Sequence, residues 1–416
     1  MTTNLWSLND PCRFWLCQPE PPDAAWQSAI AGALPLLGLS PGQPDIDAIL
    51  SQTLGEGRFG PDHWSLSLPK RVYYLLKPFL PRGLTRLMRR IYGHSGQADG
   101  DPHWPIDARY VSFLWQVLAA AVRQSPDQAI SIKSLWPEGR RFSLVLTHDV
   151  ESKLGLAYIR QVADLEESLG FRSSFNFVPE DYPLDTGLMD ELRRRGFEVG
   201  IHGLTHDGRL FESRPAFEKK AARINEYLGR VQATGFRAPL TIRNPEWMQS
   251  LDLEYDLSFF DTDPFEPIPG GTMSIWPFFL GRFVELPYTL VQDYTLTDVL
   301  KEDSPRLWLE KVRFIREHCG MALLNSHPDY LQKPPRLDIY ARFLRSMLEE
   351  KDCWHALPCQ VAGWWKERPA SGQLSTVSLD EAGLCISPAG TTPGKAYHVP
   401  LAGSHPAAQN DTFSQN

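Results

Sequence analysis

From about Phe142 onward, short apolar runs alternate with longer stretches in which apolar residues recur every three or four positions. Runs of the first kind read as buried strands, stretches of the second as amphipathic helices. Strands are predicted at Ser143–Thr147, Ser173–Val178, Phe197–His202, Gly235–Pro239, Leu257–Phe260, Phe283–Leu286 and Met321–His327. Helices are predicted up to Leu169, over Leu188–Arg195 and over Glu212–Val231, with Gly170 and Gly196 ending the first two. Repeated strand–helix alternation implies an α/β fold with a parallel sheet, and this many units suggests a barrel.

The flanks follow a different grammar. Residues 1–130 read as a mostly helical or irregular extension, and 1–62 are rich in proline, tryptophan and short apolar runs without suggesting a role. Within the extension, 70–92 carries Lys70, Arg71, Lys77, Arg82, Arg86, Arg89 and Arg90 and no acid. Apolar residues interleave with these charges, and Pro78 and Pro81 break the run. Such a segment is either a solvated helical hairpin or an interfacial one that meets anionic lipid or a phosphorylated glycan carrier. The barrel is expected over 140–368. The last stretch, 369–416, is rich in Ser, Thr, Gly, Pro and Ala and reads as a disordered tail.

Composition narrows the function classes. The chain has 416 residues, 42% hydrophobic and 22% charged, which is ample for a sizeable core. Its net charge of −8 argues against nucleic acid as a partner. The six cysteines form no CxxC pair, so neither a disulfide framework nor a cysteine zinc site is expected. The first residues, MTTNLWSLND, lack the basic and apolar regions of a signal peptide, and Ala29–Leu39 is too short to span a bilayer. The default expectation is a cytoplasmic protein, with a peripheral contact at the inner membrane face through 70–92 as an extension of it.

Four strand ends carry chemistry. LVLTHDVES (144–152) runs from apolar residues into His148, Asp149 and Glu151. GIHGLTHDG (200–208) holds His202 and His206, which on one helical turn would share a face and reach one ion. In GFRAP (235–239), Arg237 ends a strand and could hold a carboxylate ionised. LLNSHPDY (323–330) ends a strand at His327, a candidate general acid. Singly, each has a plain alternative: loop histidines without a metal, an ordinary salt bridge, a histidine at the core edge. Together they converge on one mouth of one barrel.

That ordered set resembles the polysaccharide deacetylase family, the NodB-homology or carbohydrate esterase 4 domain. Its usual series is Thr-x-Asp-Asp, His-Ser/Thr-x-x-His, Arg-x-x-Pro, an aspartate-containing motif and Leu-x-x-His. The matches are Thr147-His148-Asp149, His202-Gly203-Leu204-Thr205-His206, Arg237-Ala238-Pro239 and Leu324-Asn325-Ser326-His327, within about 142–365. The second aspartate of the first motif is Val150, with Glu151 the next acid; the histidine motif has Gly203 for Ser or Thr; and one residue separates Arg237 from Pro239. The aspartate motif is open among Asp261, Asp263 and Asp293, with YDLSFFDTDPF, and so Asp261, as the better match.

The resemblance implies a distorted (β/α)7-type TIM-like barrel and a metal-dependent hydrolase that removes an acetyl group from an N-acetylated sugar. It implies Asp149 as general base kept charged by Arg237, His327 as acid oriented by an aspartate, and Glu151, His202 and His206 as ligands of a divalent ion. Zinc is the first expectation for that ion, with cobalt or nickel as alternatives. The swapped assignment, with Asp149 on the metal, stays open. So do a cyclic or small amide as substrate and a degenerate glycan-binding or scaffold protein. The aromatic residues Trp247, Phe260, Phe265, Trp276 and Phe278 could line sugar subsites. Without an export signal, a lipid- or nucleotide-linked sugar intermediate is the expected substrate.

Overall fold

The computed structural model describes residues 4–40, 42, 45–61, 63–66, 70, 103–389 and 396–401. In chain order its strands are β1 (Cys17–Gln18), β2 (Ala129–Lys133), β3 (Phe142–Val150), β4 (Ser174–Phe177), β5 (Glu198–His202), β6 (Gly235–Arg237) and β7 (Tyr255–Asp256). They continue with β8 (Phe278–Leu280), β9 (Phe283–Glu285), β10 (Met321–Ser326), β11 (Cys353–His355), β12 (Leu374–Asp380), β13 (Gly383–Pro388) and β14 (Tyr397–Val399).

The larger sheet runs β10-β3-β4-β5-β6-β7-β9-β8, parallel except for the β8–β9 pair. β3 lies between β10 and β4 and is buried at every position, which is why it reads as an unbroken apolar run. β11 pairs with its first residues, at Phe142 to Leu144, before β4 takes over at Thr147. The sheet curls shut through residues 288–290. Tyr288 bridges Phe260, and Leu290 bridges Leu324 of β10. The Leu290 N–H donates to Leu323 O at 3.0 Å, and the Asp261 N–H donates to Tyr288 O at 3.1 Å. Single bridges rather than a ladder close the ring, so the barrel is distorted.

Three of the helices that cover it are the expected ones, and Arg306–Glu317, Pro334–Met347 and Pro358–Glu367 join them. Lys153–Ser168 follows β3 and is capped by Ser152 Oγ, which accepts the Gly155 N–H at 3.1 Å. Thr186–Arg194 and Arg214–Arg230 follow β4 and β5. The strand expected at Leu257–Phe260 instead sits at Tyr255–Asp256. There Ser258 Oγ accepts the Ala238 N–H and donates to Asp256 Oδ1, so side-chain bonds replace the ladder one step beyond β7.

The expected disordered tail is overturned over 374–388 and 397–399. β12, β13 and β14 join β1 and β2 in an antiparallel sheet of order β1-β2-β12-β13-β14. Val377, Leu384, Ile386 and Val399 point inward and are buried. Their period-two alternation drives the strands, although Ser, Thr and Gly dominate the composition. The N-terminal extension is not all helical either, since it supplies β1 and β2, and it shares a sheet with the C-terminal strands. It is further clipped to the barrel by Glu56, which pairs with the buried Arg243 and accepts the Gly271 N–H at 2.6 Å. Residues 71–92 of the basic segment, and 402–416, lie outside the described residues. Lys70 donates from Nζ to Pro267 O at 2.6 Å. Among the described residues no helix is long and apolar enough to cross a membrane.

Candidate metal centre and active site

Strand geometry sorts the acids of the first motif. Side chains alternate along β3, so Thr147, Asp149 and then Glu151 share one side, while His148 and Val150 face the other. His148 is spent there on packing. Its Nε2–H donates to Glu166 Oε1 at 2.6 Å, Ser326 Oγ is 2.8 Å from Nδ1, and the Tyr340 hydroxyl donates to the same Glu166 oxygen.

Glu151, His202 and His206 come together, with their ligand atoms within 4.8 Å of one another. Glu151 Oε1 is 3.0 Å from His206 Nε2 and 3.9 Å from His202 Nε2. The two imidazoles do not meet on a helical turn, as their spacing suggested. His202 ends β5, and the chain then turns at Gly203, with φ +67°, to bring His206 back. A Cβ at Gly203 would lie 2.3 Å from Pro239 Cγ, so the glycine and the proline of the arginine motif pack as one unit. That contact explains why this position is not Ser or Thr.

The donor set fits a zinc-class ion: two imidazoles and a carboxylate. His202 Nδ1 is fixed by Arg237 O at 3.1 Å, the outer contact a metal-bound histidine typically makes. Its Nε2 is buried and has no hydrogen-bond partner among the described residues, a costly state for a polar atom unless a ligand meets it. Burial lowers the His202 pKa to about 4, against the pull of Asp149, so the ring is neutral and ready to coordinate above that pH. Burial would raise the Glu151 carboxyl, but His206 and His327 outweigh it and hold the group well below the usual range.

Asp149 sits beside these groups, with Oδ2 4.0 Å from His202 Nε2. Its Oδ1 accepts from Asn176 Nδ2 and Arg237 Nη1, both at 3.0 Å, and its Oδ2 accepts from Asn325 Nδ2 at 2.8 Å. Burial alone would raise its pKa. The Arg237 guanidinium, with His202 and His327, more than offsets burial and leaves Asp149 ionised at any ordinary pH. Arg237 is itself set by Leu257 O, Thr147 Oγ1 and Asn325 Oδ1. Its Nη2 is a second buried polar atom of the site without a partner among the described residues.

His327 completes the group, with Nε2 3.5 Å from Glu151 Oε1. Its Nδ1–H donates to Asp293 Oδ1 at 2.8 Å, and its backbone N–H donates to Asp293 Oδ2 at 2.9 Å. Burial would lower the imidazole pKa, but Asp293 and Glu151 raise it well above its usual value. The aspartate on His327 is therefore Asp293, not Asp261. Asp261 is committed to Lys311, whose Nζ lies 2.7 Å from Oδ2. Residues 288–290 close the barrel beside β10 and deliver Asp293 to the mouth, a consequence of topology that motif spacing does not carry.

Asn176 and Asn325 were not singled out from the sequence. Each is a buried amide in an otherwise apolar strand, paired in register with Asp149 and Thr147. A polar residue inside such a run was the available signal. The suggested sugar-lining aromatics divide differently: Phe260, Trp276 and Phe278 are core, Trp247 stacks on Phe211, and Phe265 meets Trp104 edge to face.

No protein-family model matches the chain, and no curated protein matches it either. Among solved structures it is similar in fold to a Mycobacterium smegmatis protein assigned to the polysaccharide deacetylases. That pair shares 18% identity over 57% of this chain and 94% of that one, with a TM-score of 0.47. Peptidoglycan deacetylase PdaC from Bacillus subtilis shares 13% identity over 56% of this chain and 96% of that one, at a TM-score of 0.38. Puue allantoinase shares 14% identity over 57% and 94%, at 0.43.

Proposed function

We propose that this protein is a metal-dependent hydrolase that removes an acetyl group from an N-acetylated sugar, splitting a carbon–nitrogen amide bond. One observation carries the reading. The buried His202 Nε2, without a hydrogen-bond partner among the described residues, faces Glu151 and His206, flanked by a carboxylate held ionised and an imidazole held protonated. Poised pairs of that kind are what acid–base hydrolysis requires. The choice of an acetylated sugar rests on the motif resemblance.

A divalent ion on Glu151, His202 and His206 would supply Lewis-acid polarisation of the acyl oxygen and acidify bound water. The residues supply the rest. Asp149 takes the proton of the attacking water through Oδ2, the oxygen nearer His202. Arg237, Asn176 and Asn325 fix its direction. His327 gives its Nε2 proton to the departing amine, and Asp293 balances the imidazolium before transfer. One water is consumed, and an amine and acetate leave.

A lipid- or nucleotide-linked sugar is the substrate form we favour, since the basic stretch 70–92 would suit an anionic carrier. If changing Lys77, Arg86 and Arg89 to Glu leaves binding to anionic liposomes unaltered, the lipid-linked form is wrong. The deciding experiment for the reaction is metal content of chelator-free, untagged protein, for the wild type and His202→Ala. A wild type that holds about one transition-metal ion per chain more than the variant supports the centre, and acetate release from N-acetylated sugars then tests turnover. Equal metal contents in the two proteins, unchanged on adding zinc, sink the hydrolase and leave a glycan-binding scaffold.

A further inference from the structure

The small sheet carries a second cluster of metal-ligand types. Its inner face buries Val377, Leu384, Ile386 and Val399, so the alternate residues Asp380, Cys385 and His398 lie on the outer face. They come from three adjacent strands. Cys385 of β13 stands directly across from His398 of β14, and Asp380 of β12 stands across from Gly383 of β13.

Gly383 makes the meeting possible. It lies two residues before Cys385 on the same face and has no side chain to block the way. Its φ is +127°, and a Cβ there would sit 2.6 Å from Val399 O, so a larger residue is excluded. The Asp380 and His398 side chains therefore reach each other across the middle strand, with Oδ2 2.7 Å from Nε2. The carboxylate oxygen, imidazole nitrogen and Cys385 sulfur all lie within 4.8 Å of one another.

We propose that Asp380, Cys385 and His398 bind a zinc-class divalent cation and that this ion clamps β14 to β12 across β13. The donor chemistry selects the ion. A thiolate with an imidazole suits zinc, cobalt, nickel or copper, whereas magnesium and calcium prefer oxygen throughout. Three protein donors leave the fourth tetrahedral position to water. Binding releases the Cys385 thiol proton, and the ion takes the place of the proton shared between His398 Nε2 and Asp380. None of the three residues belongs to the centre at the barrel mouth, so the inference stands apart from the hydrolase reading.

The test is a Co²⁺ titration of the reduced, metal-stripped full chain, followed by absorption. Sulfur-to-cobalt charge-transfer absorption reports a thiolate ligand, and the mouth centre has none. The band is expected in the wild type and in His202→Ala and is expected to vanish in Cys385→Ser. His398→Ala should weaken Co²⁺ at that site by at least about tenfold, since even outer-shell partners are worth that much. A wild type without the band, or a band that survives Cys385→Ser, overturns the site.

Discussion

Asp293 holds His327 twice, through a side-chain bond to Nδ1 at 2.8 Å and through the backbone N–H of the same residue at 2.9 Å. The second bond fixes where the carboxylate sits, and the first makes it an anchor for the imidazolium. In Asp293→Asn the shape persists but the charge is gone, so the His327 pKa should fall back toward roughly 6.5. A general acid must be protonated to act, so the alkaline limb of the pH–rate profile moves to lower pH. Turnover at neutral pH should drop by about fourfold, and by more with each further pH unit, with metal content unchanged, because a group of pKa about 6.5 is still about a quarter protonated at pH 7. An unaltered profile in this variant removes His327 from the acid role.

Gly203 and Pro239 make a sharper structural prediction. Gly203→Ser would restore the residue type of the wider motif, yet here the backbone is left-handed and Pro239 fills the space a Cβ would need. Left-handed backbone costs a non-glycine residue about 1–2 kcal/mol, and crowding adds to it. The urea midpoint should fall and metal retention with it, because this turn carries His206 back to His202. A variant as stable and as metal-rich as the wild type would show that Pro239 yields easily.

How much of this was legible beforehand follows from range. Asp149 and Glu151 could be assigned to one side of β3 from alternation alone, and the four strand ends do meet at one mouth. Asp293 could not be told from Asp261, because the difference arises where 288–290 crosses to β10, a long-range closure made of single bridges. The C-terminal strands were hidden for a different reason. Their composition is that of a tail, and only the alternation of Val377, Leu384 and Ile386 against polar neighbours distinguishes them. Asn176 and Asn325 read as isolated polar residues until register sets them against Asp149 and Thr147.

A further acid beyond β7 predicts the stability profile. Burial, reinforced by Glu266, raises the Asp263 pKa to about 7, and its Oδ2 lies 3.0 Å from the Tyr288 hydroxyl. An acid whose folded pKa exceeds its unfolded value of roughly 3.9 binds more protons when folded, so stability declines as pH rises between those values. Asp263→Asn keeps the contacts and removes the titration. Melting temperatures of wild type and variant, measured from pH 4 to pH 8, should diverge upward in favour of the variant as pH increases. Parallel curves would place the group's ionisation elsewhere.

Two carboxylates compete for the metal, and substitution separates them. With Glu151 as ligand, Glu151→Gln should lose the ion, while Asp149→Asn should keep it and lose turnover. The reverse pattern of metal contents would assign the ion to Asp149 and free Glu151 to act as the base.

The Asp149–Arg237 pair is the energetic centre of the mouth, since both side chains are buried and Arg237 Nη1 meets Asp149 Oδ1 at 3.0 Å. Removing one member of a buried pair leaves a charge in a poor solvent and costs about 3–5 kcal/mol. Arg237→Met should lose that much in denaturant unfolding near pH 7. Burial then acts on Asp149 with its main counter-charge removed, so the carboxyl pKa rises. By the same linkage the variant should recover stability as pH falls, opposite to the wild-type contribution of an acid held ionised. Arg237→Met combined with Asp149→Leu removes both charges and should be less destabilised than the sum of the single changes, by roughly 0.5–3 kcal/mol. Strict additivity would mean that Asn176 and Asn325 stabilise the carboxylate without help from the arginine. Turnover should vanish in all three variants, which separates the pair's catalytic duty from its part in stability.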